Sequence, residues 1–365
     1  MNSTSLRGRL LWLAHRDYCH PKSGGAERTA FETGRGLTSR GYPVTIISSH
    51  WRGGPTSEVR SGVKLRRFPT VVGPHLLYPI VQLGFRPRWT VADLAHAVPW
   101  VSAPILQRGV IVFFRHLHAR TLGGQVPTAA ARLLSVIERL YPTIYRSAPF
   151  VTESLSSAKD LEILGIERSR IHLIPPGVDC LTFRPGKRSE TAELVYFGGF
   201  RDYKRPLHFL EALRILAQDD PEIHGVMIGT GPNIGRVMDR STQLGLKSRV
   251  SFVGRVNDND LVNLVARAWV NVHCSTAEGW CLSAIEAAAC GVPTVGYDVP
   301  GLRDSTAAGK SGLLVKDGDV DGLAAAIRSV VVDPDSWRSR SRQHAERFTW
   351  QNCVDMWVKL LGECT

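Results

Sequence analysis

The chain lacks any run of about 18 apolar residues, the length a helical membrane span requires. Its 43% hydrophobic content is therefore expected in packed elements. It lacks paired cysteines as well: seven are present, an odd number with no C-x-x-C spacing. That pattern argues against a disulfide scaffold and fits a reducing cytoplasm. The apolar run at Leu10–Ala14 ends at His15, Arg16 and Asp17, too short for the core of a signal peptide. No complete metal motif is present. Asp317-Gly-Asp-Val-Asp-Gly322 imitates a calcium loop, but its twelfth position is Arg328, where a bidentate glutamate is required. Asp258-Asn-Asp260 is expected to cap the helix that follows. Arginine is scattered rather than gathered into a basic tract interleaved with aromatics, which speaks against nucleic acid.

What is present fits a soluble two-domain protein. A chain of 365 residues with 21% charged residues is long for one core and comfortable for two. Charge is unevenly placed: residues 1–190 carry 26 Lys+Arg against 12 Asp+Glu, and the remainder 19 against 21. Plain solubility is one explanation. The other is a field that draws the first half toward an anionic acceptor or membrane surface.

Strand and helix patterns alternate through two successive blocks, which predicts α/β architecture with parallel sheets. In the first block strands are expected at 10–14, 44–48, 93–97, 110–114, 150–152 and 171–174, with helices over 26–40 and 129–145. Residues 52–92 give no interpretable pattern. Pro175-Pro-Gly-Val-Asp179 and a polar stretch at 181–192 mark a linker. The second block places strands at 193–197, 225–228, 250–253, 270–273, 294–295 and 313–315, with a helix over 207–218. The division reads as 1–185, 186–347 and a terminal helix at 348–365 with an apolar stripe through Cys353, Met356, Trp357 and Leu360. Ligands of such sheets bind at the carboxyl ends of the strands.

The segment richest in chemistry is Ser275-Thr-Ala-Glu-Gly-Trp-Cys-Leu-Ser-Ala-Ile-Glu-Ala-Ala-Ala-Cys-Gly-Val-Pro-Thr-Val295. Glu278 and Glu286 lie eight residues apart in it, one in a loop and one early in a short helix whose positive end faces any anion between them. Ser283-Ala-Ile-Glu286 also matches a capping box, in which Glu286 serves only its own helix. Gly24-Gly25 allows close backbone approach at a helix start. Lys204-Arg205 begins another helix, where cations oppose the helix dipole unless an anion is bound.

These residues resemble the E-x7-E element of the retaining glycosyltransferases of family 4, and the resemblance runs along most of the chain. It implies the GT-B fold: two Rossmann-like domains facing each other across a cleft, with the last helix returning to the first domain. By that resemblance Glu278 meets the donor sugar, Glu286 the ribose hydroxyls, and the amides of Gly279, Trp280, Cys281 and Leu282 the β-phosphate. Gly229, Gly231 and Pro232 line the nucleotide, and Val256 lies near the base. Lys204 matches the family lysine that neutralises the departing diphosphate. The partner arginine aligns with Gly199, so either Arg201, two residues later, takes its role, which a loop next to a glycine pair allows, or the site works with one cation fewer. Cys281 stands where relatives have glycine. Gly24-Gly25-Ala-Glu-Arg28 resembles the loop beside donor phosphates and acceptor. His116 best fits the family histidine near the sugar and acceptor; His118, and His96 on the preceding strand, are left open. The resemblance implies a hexosyltransferase that retains anomeric configuration without a metal or other cofactor, using a UDP- or GDP-sugar. Its acceptor would be a glycan, a lipid-linked or a small-molecule hydroxyl, in polysaccharide or glycoconjugate biosynthesis. The expected location is cytoplasmic or peripheral on the inner face of the membrane. An epimerase or phosphorylase of the same fold, or a non-enzymatic binder of anionic headgroups, are the rival readings.

Overall fold

The computed structural model describes residues 8–69, 75, 85–106, 109–122 and 126–364; residues 1–7 and most of 70–84 lie outside them. The chain divides into two compact units. The first comprises Met1–Ala119, Ala129–Gly177 and Trp350–Thr365, and the second Arg120–Thr128 and Val178–Thr349. The chain thus changes unit at Gly177–Val178 rather than after residue 185.

Unit 1 holds strands β1 (Leu10–Leu13), β2 (Val44–Ser49), β3 (Ser57–Arg60), β4 (Val63–Phe68), β5 (Trp89–Asp93), β6 (Val110–Phe114), β7 (Phe150–Thr152) and β8 (Ile171–Leu173). They form one sheet in the order β3-β4-β2-β1-β5-β6-β7-β8, parallel except for the β3–β4 pair. Leu10 and Trp12 enter one apolar core and Leu11 and Leu13 another. Both faces are covered, as a parallel sheet requires. Two expectations need correction. The fifth strand ends, rather than begins, at Asp93. The helix read over 129–145 is two helices, α2 (Thr128–Glu138) and α3 (Tyr141–Ile144), because Pro142 has no N–H with which to continue the ladder.

Unit 2 holds β9 (Glu193–Phe197), β10 (His224–Ile228), β11 (Val250–Gly254), β12 (Val270–His273), β13 (Thr294–Tyr297) and β14 (Gly312–Val315), in the order β11-β10-β9-β12-β13-β14. Every pairing in this sheet is parallel. The helix after β9, α4 (Pro206–Asp219), starts on a proline at its first position, where the missing N–H is harmless. Helix α5 (Leu282–Ala289) follows β12.

The final helix, α6 (Trp350–Glu363), belongs to unit 1. Cys353, Val354, Trp357, Leu360 and Leu361 enter the same core as Trp12 and Phe113, with Trp357 5.3 Å from Trp12 and 5.7 Å from Phe113. Gly36 of α1 (Gly25–Ser39) permits this approach, since a Cβ there would overlap Val354. Met356, placed on the stripe by sequence, points outward and is 40% exposed.

Candidate functional site

Each sheet has a point where the chain reverses its direction of travel: between β1 and β5 in unit 1, and between β9 and β12 in unit 2. The loops leaving adjacent strands diverge there and open a crevice at the carboxyl ends. In unit 2 those two loops carry the Gly198–Arg205 and Ser275–Cys281 segments. The topology therefore brings together residues that lie more than 70 positions apart.

They meet in an ion pair. Lys204 Nζ donates to Glu278 Oε1 at 2.5 Å, with only 17% and 12% of the two side chains exposed. Burial alone would raise the Glu278 carboxyl. The Lys204 ammonium and hydrogen bonds from Lys204 and Ser275 outweigh it and hold the group below its ordinary value. Lys204 is pushed up in turn: burial opposes its charge, but Glu278 more than compensates. His273, at the end of β12, lies 3.8 Å behind Glu278. Burial lowers it to about 4, so it stands neutral beside the pair with Nδ1 3.2 Å from the Ser275 hydroxyl.

Neighbouring contacts fix the two loops. Arg205 is not a solvated helix start: it donates to the carbonyls of Cys274 and Ser275 at 2.9 and 3.0 Å and pairs with Asp317. The Thr276 amide donates to the Tyr203 carbonyl at 2.8 Å. Asp319, a second of the three acids in the imitation calcium loop, caps the helix Val320–Val332 by accepting from the Gly322 amide. The helix Asp258–Arg267 is capped by Asn257, one residue before the expected Asp258-Asn-Asp260 cap.

Helix α5 begins at Leu282, with Cys281 as its N-cap at φ +89°. A left-handed cysteine costs about 1–2 kcal/mol, so the backbone here favours glycine over the cysteine it holds. The thiol is pushed up to about 12 by burial and by the Glu278 charge and remains protonated. Ser283 falls inside the helix, so the capping box expected for Glu286 does not form; Glu286 sits buried in the second turn. The Trp280 indole packs into the core against Phe348, which leaves only its backbone facing the loop.

Arg201 precedes a short 3-10 turn, Asp202–Lys204. Its side chain folds back over Gly199: a Cβ on Gly199 would lie 3.6 Å from Arg201 Nε. Gly229, at φ +125°, and Gly231 are demanded by close approach, since a Cβ on either would overlap the carbonyl of Gly198 or Phe200. The Gly229 amide donates to Gly254 at 2.7 Å, which ties the loops after β9, β10 and β11 together. Val256 is partly buried beside them.

Unit 1 shows its own cluster at the β1–β5 reversal. His15 and His96 meet edge to face at 3.8 Å, and burial with nearby positive charge lowers His15 to about 4. Gly24 is the N-cap of α1 and its amide donates to Glu27 at 2.8 Å; Glu27 also pairs with Arg16 at 3.2 Å. His118 has a structural task. Its amide and that of Ala119 donate to the Glu138 carboxylate at 2.7 and 3.1 Å, and its ring lies 3.1 Å from the same group. His116 is half-buried, its ring 4.8 Å from that of His118. Sequence reasoning missed His15 and His273 because a lone histidine at a strand end carries no local signal.

Comparison with known proteins follows the two units. Residues 181–348 match the family model described as glycosyl transferases group 1, and residues 23–180 that described as glycosyltransferase family 4. The chain is 26% identical to the D-inositol 3-phosphate glycosyltransferase of Nocardiopsis dassonvillei, over 94% of this chain and 90% of that protein. It is 28% identical to the glycogen synthase of Mycobacterium tuberculosis, over 80% and 70%. Among solved structures, sucrose-phosphate synthase from Thermosynechococcus elongatus superposes with a TM-score of 0.83 at 19% identity, covering 98% of this chain and 99% of that one. Anabaena HepE in complex with UDP-glucose gives 0.77 at 17% identity, covering 98% and 100%. At these identities the structures speak to fold.

Proposed function

The chain belongs to the family 4, group 1 glycosyltransferases and has the GT-B fold, and from this premise we propose that it moves a sugar from a nucleotide diphosphate to an acceptor hydroxyl with retention at the anomeric carbon. The observation that carries the reading is the Lys204–Glu278 pair at the β9–β12 reversal, beside the N-terminus of α5. Fixed cations and helix amides aimed at one spot stabilise charge as it develops on a leaving group, without reorganising during the reaction.

In this reading unit 2 holds the donor. Arg201, Lys204 and the amides of Gly279–Leu282 take the diphosphate, in place of a metal ion. Glu286 accepts from the ribose hydroxyls, since a carboxylate suits a vicinal diol, and Glu278 orients the sugar. Gly229, Gly231 and Val256 border the base. As the glycosidic C–O bond breaks, its electron pair goes to the β-phosphate oxygen. That oxygen takes the acceptor proton on the face where the new C–O bond forms. Unit 1 receives the acceptor, with His116 and the Gly24-Gly25 turn positioning it. HepE is described with UDP-glucose, which makes a uridine donor the first to try.

A thermal-shift screen of UDP-, GDP- and ADP-sugars tests the donor assignment, because a ligand at 100 times its Kd adds about 2.7 kcal/mol. Release of nucleoside diphosphate only when acceptor is supplied marks a transferase. Stabilisation by none of the three donors overturns the reading.

A further inference from the structure

Arg205 stands where the backbone would favour glycine. Its φ is +45° and its ψ +53°, the left-handed region in which a side chain is strained. It serves as N-cap of α4 without a capping hydrogen bond from its side chain, and Pro206 follows it. Nothing local therefore favours an arginine. A strained residue persists where its surroundings over-determine it, and here they do so through the guanidinium.

That side chain starts in the loop after β9 and crosses the carboxyl ends of the three strands on one side of it, β12, β13 and β14. It donates to the carbonyls of Cys274 and Ser275, just past β12, at 2.9 and 3.0 Å. It lies 4.8 Å from the ring centroid of Tyr297, the last residue of β13, whose hydroxyl is 2.7 Å from His208 Nδ1 of α4. Its far end pairs with Asp317, just past β14. Cys274, Ser275 and Tyr297 are fully buried, so this strap rests on the sheet itself. The Asp317 end is exposed.

The strap frames the ion pair. Lys204 is the residue before Arg205, and Glu278 follows Ser275 in the same loop. The Glu278 amide also donates to the Pro300 carbonyl, in the loop after β13, at 3.0 Å. The loops that hold Lys204 and Glu278 are thus tied to strand ends that one guanidinium touches. A lysine ammonium is a point charge and cannot reproduce a planar fork that serves two carbonyls and a carboxylate at once.

We propose that Arg205, anchored by Asp317, is a positioning residue that sets the spacing of Lys204 and Glu278 and so shapes the crevice for a diphosphate. The proposal rests on the donor reading above for its ligand, and on the strap alone for its geometry.

The test needs neither an acceptor nor knowledge of the base. Lys204→Met is placed in the wild type, in R205G, which frees the backbone of strain, and in D317N, and its cost in melting temperature is compared. With the strap cut the pair is already loose, so the methionine should cost roughly half as much or less in R205G, and an intermediate amount in D317N. Inorganic pyrophosphate is then titrated by calorimetry into the whole chain. R205K keeps the charge and should still lose about tenfold or more in affinity. D317N should lose about threefold. R328Q, which breaks the exposed pair with Asp219 at the far end of α4, should bind as wild type. A role in folding alone would lower melting temperatures and leave both readouts unchanged. An unchanged Lys204→Met cost in R205G and D317N, or wild-type affinity in R205K, overturns the proposal. If the wild type takes no pyrophosphate while the melting comparison holds, the donor reading fails and the positioning of the pair stands.

Discussion

Replacing Lys204 by methionine leaves the Glu278 carboxylate in a crevice that exposes only 12% of its side chain, without the ammonium that sits 2.5 Å away. Removing one partner of a buried pair costs about 3–5 kcal/mol, because the remaining charge stays desolvated. Some solvent still reaches both groups, which places the expected loss near the lower limit, about 3 kcal/mol. For a domain of this size that corresponds to roughly 6–12 °C in Tm. The double variant K204M/E278Q removes both charges and should return to within about 1 kcal/mol of wild type. The pH dependence has a defined sign. Glu278 is depressed, so its contribution is present above the ordinary carboxyl value of 4.5 and is lost as pH falls below it. Lys204 is raised, so its contribution is complete below 10.5 and is lost as pH climbs beyond that. Thermal melts of the four proteins at pH 7 and pH 4 give the cycle. A Tm for K204M within about 2 °C of wild type, or a double variant as unstable as the two singles summed, would refute the reasoning.

Three further outcomes follow from the same geometry. Gly301, at φ +76°, touches the Glu278 backbone, and a Cβ there would overlap its carbonyl; Gly301→Ala should lower transfer at least about tenfold by displacing Glu278, measured as kcat/KM. His273 resists protonation down to about 4, so the unfolded chain binds the extra proton first and stability falls as pH drops from 6.5 toward 4. His273→Gln should remove roughly 3 kcal/mol of that acid sensitivity, read from urea melts. Trp357→Ala empties the contact between α6 and Trp12 and should destabilise unit 1 by about 3–5 kcal/mol, seen as a lowered urea midpoint.

The alternation of β1, β2 and β6 with their helices was readable because fully buried strands leave unbroken apolar runs, and α6 announced itself by its stripe. Strands β3 and β4 were not. Val63-Lys-Leu-Arg-Arg-Phe68 looks half-polar, yet Arg67 is buried in ion pairs with Asp17 and Glu58, partners that only the fold supplies. The β5 error has a similar source: Trp89–Asp93 and the following Leu94–Ala97 are both apolar, and periodicity cannot choose between them. At the site, the residue types came from motif spacing. What spacing could not convey was pairing across loops. Lys204 and Glu278 were read as separate contacts to one ligand, and the structure joins them to each other. Cys281 takes the left-handed conformation that glycine adopts freely, and the Ser283 cap dissolved because the helix starts two residues earlier than a Ser283 N-cap would require.

In the proposed reading the crevice of unit 2 binds a pyrophosphate through cations, Arg201 among them. Titration calorimetry with the nucleoside diphosphate and the matching nucleoside, on wild type and Arg201→Ala, tests it directly. The variant should lose about tenfold or more in diphosphate affinity, as expected for a charge-assisted contact, and nothing for the nucleoside. Equal diphosphate affinity in the two proteins, or an equal loss for both ligands, would contradict it.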